Sequence, residues 1–194
     1  LDFGRSTIYR RSAWGVIQDR IVPSVHLGVM SLLLVLAIAF PVGVYAAYNR
    51  GRIGDAVART IAFAGQSIPE FWLAIILILI FVVYLNWLPA AGRTGGWTHW
   101  ILPSLTAGWF SMAGLLRITR SSVLEVLGSD YIRTARAKGL RERTVLWRHI
   151  VRNSLITVIT SVALLAVGIM SGMVLVETVF GWPGLGQLLA SSVM

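Results

Sequence analysis

Four stretches of this chain carry almost no charge and are long enough, or nearly so, to cross a lipid bilayer: about 24–48, 61–88, 101–116 and 154–176. A hydrocarbon core of about 30 Å takes about 20 apolar residues at 1.5 Å each. Inside lipid every backbone N–H and C=O must be paired within its own segment, so such stretches form helices and not strands. Only 13% of the 194 residues are charged and 56% are hydrophobic, against about 25% charged in a soluble domain. A soluble fold of this size has no interior large enough for that much apolar surface. The expectation is an all-α polytopic membrane protein.

The charge pattern orients it. Seventeen basic residues give a net charge of +9, and Lys138 is the only lysine. Arg50, Arg52 and Arg59 lie between the first and second stretches, and nine basic residues lie between the third and fourth. Four spans alternate sides, so these twelve share one side, and the other carries Arg5, Arg10, Arg11, Arg20 and Arg93. The positive-inside rule makes the side of twelve cytoplasmic. Residues 1–23 then form an external segment, residues 117–153 a cytoplasmic loop and residues 177–194 an external loop. Trp87, Trp97 and Trp100 read as an aromatic belt at the outer boundary. Basic residues interleaved with spans point to topology and docking, with membrane lipid as a partner and no nucleic acid.

The loop 117–153 carries most chemistry. Leu124, Leu127, Tyr131 and Ala135 recur at helical spacing. Ser129 or Asp130 is placed to cap the helix start, and Gly139 stands where a helix would stop. A second helix is expected from about Glu142 into the fourth span. Small residues Ala135, Ala137 and Gly139 make a narrow ridge suited to a partner's groove. Composition alone also admits a basic juxtamembrane helix resting on anionic lipid.

The wording favours the docking reading. Asp130-Tyr131-Ile132-Arg133-Thr134-Ala135-Arg136-Ala137-Lys138-Gly139-Leu140, followed by Arg148-His149 and Arg152-Asn153, resembles the cytoplasmic "EAA" loop of binding-protein-dependent ABC importers, in particular the dipeptide/oligopeptide permease branch. The general pattern has Glu-Ala-Ala, three residues, then glycine. Here Arg133, Thr134, Ala135 and Gly139 hold those positions. The missing glutamate, and Arg152 where many families have proline, are both usual in the peptide branch. Val176 to Gly186, with Phe180, Trp182, Pro183, Gly184 and Leu185, is similar to the branch's external loop after its fifth span. Glycine and proline break the helix there, and the apolar side chains anchor a fold-back.

The resemblance implies a type I ABC importer transmembrane domain, with four of six expected spans present and the other two before Leu1 and after Met194. It implies a prokaryotic inner-membrane permease that moves di- or oligopeptides. The implied partners are a second homologous permease, two ABC ATPase subunits and an extracytoplasmic substrate-binding protein. The ATPase-coupling residues would be Tyr131, Arg133, Thr134, Ala135, Arg136, Ala137, Lys138, Gly139, Leu140 and Arg141. No Gly-x-x-x-x-Gly-Lys-Ser/Thr loop exists in the chain, so no catalytic residue or cofactor is expected in it, and ATP and Mg belong to the ATPase subunits. Nickel, glutathione and other small solutes are alternative cargoes within the branch. A secondary transporter or channel would explain the spans but not the two loops. An intramembrane serine hydrolase lacks a histidine in a later span.

Glu70 interrupts the second span. Carboxylates at membrane depth line a pathway or sit in a buried pair, and both readings stay open for it, the paired one favoured. Glu177, at a span end, reads as interfacial. His26 and His99 have no ligand spacing, so no metal site is expected.

Overall fold

The computed structural model describes residues 4–5, 9–90, 92 and 96–193. Arg93 and Gly95 of the second connection, Met194, and residues 1–3 and 6–8 of the expected external segment lie outside them. The described residues are helical apart from turns and one isolated bridge between Arg5 and Ser12. The helices are α1 (Ala13–Tyr48), α2 (Ile53–Ser67), α3 (Glu70–Ile78), α4 (Thr98–Leu127), α5 (Asp130–Ala137), α6 (Glu142–Thr144), α7 (Arg152–Val179) and α8 (Leu185–Val193). Leu79–Tyr84 continues α3, and Val145–Val151 joins α6 to α7, both as π turns.

Among the described residues three helices are long and apolar enough to cross a membrane: α1, α4 and the run Glu142–Val179. α2 and α3 together make a fourth if their break is counted inside one span. Three boundaries differ from the sequence reading. α1 begins at Ala13, so much of the expected external segment is helix, with Arg11 and Asp19 paired at 2.8 Å. α4 extends the third stretch to 30 residues, about 45 Å at 1.5 Å per residue. The second stretch is two helices, because Pro69 has no N–H to donate and takes extended angles, φ −62° and ψ 138°. A kink was expected there; the structure has a break at Ile68–Pro69.

The chain packs as two units. The first draws on residues 1–34, 68–108 and 167–194. Its interior holds Leu27, Leu102, Phe180 and Trp182. The second draws on residues 35–67 and 109–166, and small residues set its packing. Asp55, Ala58, Ala62 and Gly65 form the buried stripe of α2. A Cβ on Gly65 would stand 3.1 Å from the Ala113 methyl of α4. A Cβ on Gly43 would stand 2.8 Å from Thr119 Cβ and 3.0 Å from the Leu116 carbonyl, so α1 and α4 meet at backbone distance. Without a hydrophobic driving force between helices in lipid, such close approach supplies the packing energy.

An ion pair ties the stripe down. Asp55 is 1% exposed and accepts from Arg120 Nε at 2.6 Å and Nη2 at 2.9 Å, and from the Gly51 N–H at 3.0 Å. It lies in the connection between the first two stretches. The Arg120 hydrogen bonds, more than offsetting burial, hold its carboxyl at a pKa of about 2.

Candidate functional site

The connection between α4 and α7 belongs to the second unit and is built on a buried cluster. Ile132 and Ala135 of α5 face Ala47 of α1, Val123 of α4, and Val145 and Ile150 of the π turns. The i, i+3 spacing of Ile132 and Ala135 puts both on one face of a two-turn helix. Ala135, expected on the ridge offered to a partner, therefore faces its own chain and is 6% exposed. Tyr131, Arg133, Thr134, Arg136, Ala137, Lys138, Gly139, Leu140 and Arg141 are exposed.

Ser129 precedes α5 in extended conformation, but its hydroxyl donates back to the Val126 carbonyl at 2.5 Å and makes no cap bond to α5. The other end follows the glycine rule. Gly139 has φ +75°, and its N–H donates to the Arg136 carbonyl at 2.9 Å. A β-carbon at that angle is strained even though nothing stands within 4 Å of its place. The Arg141 carbonyl then accepts from Thr144 and Val145, opening α6.

Glu142 closes the turn. Its carboxylate accepts from Arg136 Nη2 at 2.6 Å and from the Tyr48 hydroxyl at 2.8 Å. Arg136 first, and Tyr48 after it, hold the Glu142 carboxyl below the usual glutamate range. Two exposed apolar side chains, Leu140 and Trp147, stand beside these charges. Tyr48 and Trp147 were missed from sequence; the first lies 94 residues from Glu142, and the second reads as one more apolar residue before a span.

The loop after α7 belongs to the first unit. Glu177, expected at an interface, is 0% exposed. One carboxylate oxygen accepts from the Ser24 hydroxyl at 2.5 Å, and the other from the Gly186 and Gln187 N–H groups at 2.6 and 3.1 Å. Ser24 Oγ accepts in turn from the Leu185 N–H at 2.8 Å. The first N–H groups of any helix lack intrahelical acceptors. Here a serine and a glutamate from two other helices cap α8, and favour its positive end. Gly184 and Gly186 leave the room, since a Cβ on Gly184 would overlap the Glu177 carboxylate.

Phe180 and Trp182 are buried, and Pro183 and Leu185 partly so. Trp182 Nε1 donates to the Pro23 carbonyl at 3.1 Å, and its ring meets Trp100 edge-on at 4.6 Å between centroids. Trp100 is thus half-buried against the loop, whereas Trp87 and Trp97 are exposed. Glu70 opens α3, half-buried, and its Oε2 is 3.5 Å from the place of a Cβ on Gly172. Among the described residues it has no hydrogen-bond or ion-pair partner, and no group of three His, Cys, Asp or Glu is placed to hold a metal.

These helices and terminal loops define a polytopic helical domain of the cytoplasmic membrane. The family model for the binding-protein-dependent transport system inner membrane component matches residues 39–194, and the chain belongs to that family. It is 43% identical over 192 residues to the glutathione transport system permease protein GsiC of Escherichia coli strain K12 and to that of Salmonella typhi. Each match covers 99% of this chain and 62% of the relative, so the chain spans about three-fifths of their length. A solved structure, the crystal structure of an amino acid ABC transporter with histidines, aligns with a TM-score of 0.64 at 12% identity, over 92% of this chain and 79% of that one. The fold is the type I ABC importer membrane domain.

Proposed function

We propose that the chain is a non-catalytic, membrane-spanning permease subunit of an ABC importer, and that its cargo is a small peptide. An extracytoplasmic binding protein delivers the cargo, a second homologous permease completes the pathway, and two ATPase subunits binding ATP and Mg dock from the cytoplasm. The observation that carries this is the short exposed helix α5 and its Gly139 turn, seated on a buried cluster that also holds Val145 and Ile150 at the entry to α7. Contacts there can bias the permease only by the difference they make between its two states. Glutathione, named for the 43%-identical relatives, is itself a tripeptide and supports the peptide reading. Glu70 is assigned to the pathway, where a free carboxylate suits a peptide's ammonium.

The test is Gly139→Val in the reconstituted transporter. A β-branched residue at φ +75° should distort the turn by about 1–2 kcal/mol and weaken ATPase docking or uncouple hydrolysis from uptake, with membrane insertion intact. Arg141→Ala, an exposed charge, should change docking by no more than about 1 kcal/mol. Wild-type docking and coupling in Gly139→Val would remove α5 and its turn from this role.

Sidedness has its own test, helped by a sequence free of cysteine. Cysteine placed at Arg141 or Arg52 should resist a membrane-impermeant maleimide in sealed cells, and cysteine at the exposed Arg5 should react. Labelling at position 141 in intact cells would reverse the orientation.

A further inference from the structure

Between α2 and α4, within the second unit, lies a basic cavity of about 300 Å³. Arg59 of α2 and Arg117 and Arg120 of α4 line it. Their charges are not equally answered. Arg120 is matched by Asp55, whose buried carboxylate it grips with two hydrogen bonds. Arg59 stands 3.6 Å from that same carboxylate and is 58% exposed. Arg117 donates to the neutral Gln66 amide at 3.1 Å and has no acidic partner among the described residues. Three guanidinium groups thus share one carboxylate, and two positive charges remain for whatever fills the cavity.

A second cavity, of about 140 Å³, shares Ala62, Ala113 and Leu116 with the first. Its remaining wall is apolar, formed by side chains such as Ile38, Val42 and Ile61, with Trp109 beside them. The indole Nε1 of Trp109 is buried and has no hydrogen-bond partner. Buried tryptophan N–H groups ordinarily find an acceptor. This donor lies close to the basic cavity. It is 3.4 Å from where a Cβ on Gly65 would stand, and the next residue, Gln66, holds Arg117.

A basic head, an unmatched N–H and an apolar cleft in sequence match one class of ligand. We propose that the two cavities, which share Ala62, Ala113 and Leu116, together bind one anionic phospholipid. Its phosphodiester lies between Arg59 and Arg117, an acyl ester carbonyl accepts from Trp109 Nε1, and the start of an acyl chain fills the cleft. Guanidinium groups suit phosphate oxygens because they present donors in a planar fork, and basic pockets between membrane helices are read by such headgroups. Inorganic phosphate would answer the arginines but leave the cleft and the indole unmatched. A zwitterionic lipid would bring its own cation to a basic mouth.

The experiment is native mass spectrometry of the assembled transporter in mild detergent, offered phosphatidylglycerol, phosphatidylcholine or glycerol 3-phosphate. Wild type should retain one phosphatidylglycerol per protomer, in preference to phosphatidylcholine. The Arg59→Gln/Arg117→Gln variant should lose that retention at least about tenfold, as expected for charge-assisted hydrogen bonds. Arg120 is left alone because it holds Asp55. Trp109→Phe, which changes no charge, should weaken retention severalfold and carries the test if the double variant assembles poorly. Equal retention of both lipids, or full retention by the variants, overturns the proposal. So does displacement of the lipid by equimolar glycerol 3-phosphate, which would make this a site for phosphate alone. Variants that lose peptide affinity but keep the lipid would assign the arginines to the transport path instead.

Discussion

Alanine at Glu177 should release α8 from the rest of its unit. The carboxylate is the acceptor for Ser24, Gly186 and Gln187 at once, and among the described residues these donors have no other acceptor. Each buried donor left without a partner costs about 1–3 kcal/mol, and removing one member of a buried charged network costs about 3–5 kcal/mol. The expected result is a loss of about 3–5 kcal/mol, read as earlier thermal unfolding of the purified complex and faster proteolysis between Thr178 and Leu185. Glu177→Gln should fall between, because an amide keeps one acceptor but turns its NH2 toward donors. A melting curve that coincides with wild type for Glu177→Ala would mean that water or lipid replaces the carboxylate, and that the cap is incidental.

Trp182→Ala should cost about 3–5 kcal/mol as well, the range for deleting a large buried aromatic. The ring is 0% exposed, packs edge-on against Trp100 and donates to Pro23. On the permease role proposed above, with this loop at the outer mouth, substrate uptake should fall while the ATPase subunits still co-purify. Trp182→Phe separates the two contributions. It keeps ring contact with Trp100, loses one hydrogen bond, and should cost only about 1 kcal/mol. Equal damage from Phe and Ala would put the weight on the Pro23 hydrogen bond, and loss of the ATPase from Trp182→Ala would indicate general misfolding.

What the sequence made legible depends on how far apart the cooperating residues are. Helix, glycine turn and helix over 130–144 follow from local spacing, and Gly139 takes the left-handed angle that its position demanded. Phe180 and Trp182 could be read as anchors because they stand among helix breakers. Glu177 could not be read correctly: its partner Ser24 is 153 residues away, and a carboxylate at a span end looks interfacial until that partner is known. Ala135 was misread for a related reason. A small residue on a short basic helix suits a partner's groove equally well as its own core, and only the presence of Val145 and Ile150 opposite decides. The charges at Asp19 and Arg20 hid the true start of α1, because uncharged length was the measure of a span. Pro69 signalled a disturbance, but its depth, a break and not a kink, depends on the packing of both helices.

The π turns at Val145–Val151 have a consequence for how this region tolerates change in length. A π turn closes on the fifth residue where an α turn closes on the fourth, so it holds a residue more than regular helix needs. Deleting one residue elsewhere in α7 would turn everything beyond it by about 100°, the angle set by 3.6 residues per turn. A deletion inside Val145–Val151 can instead be taken up by tightening the coil, so that α7 beyond it presents the same sides. The segment is a slip joint in the gene as well as in the protein: a stretch where a lost codon need not move the residues on either side of it.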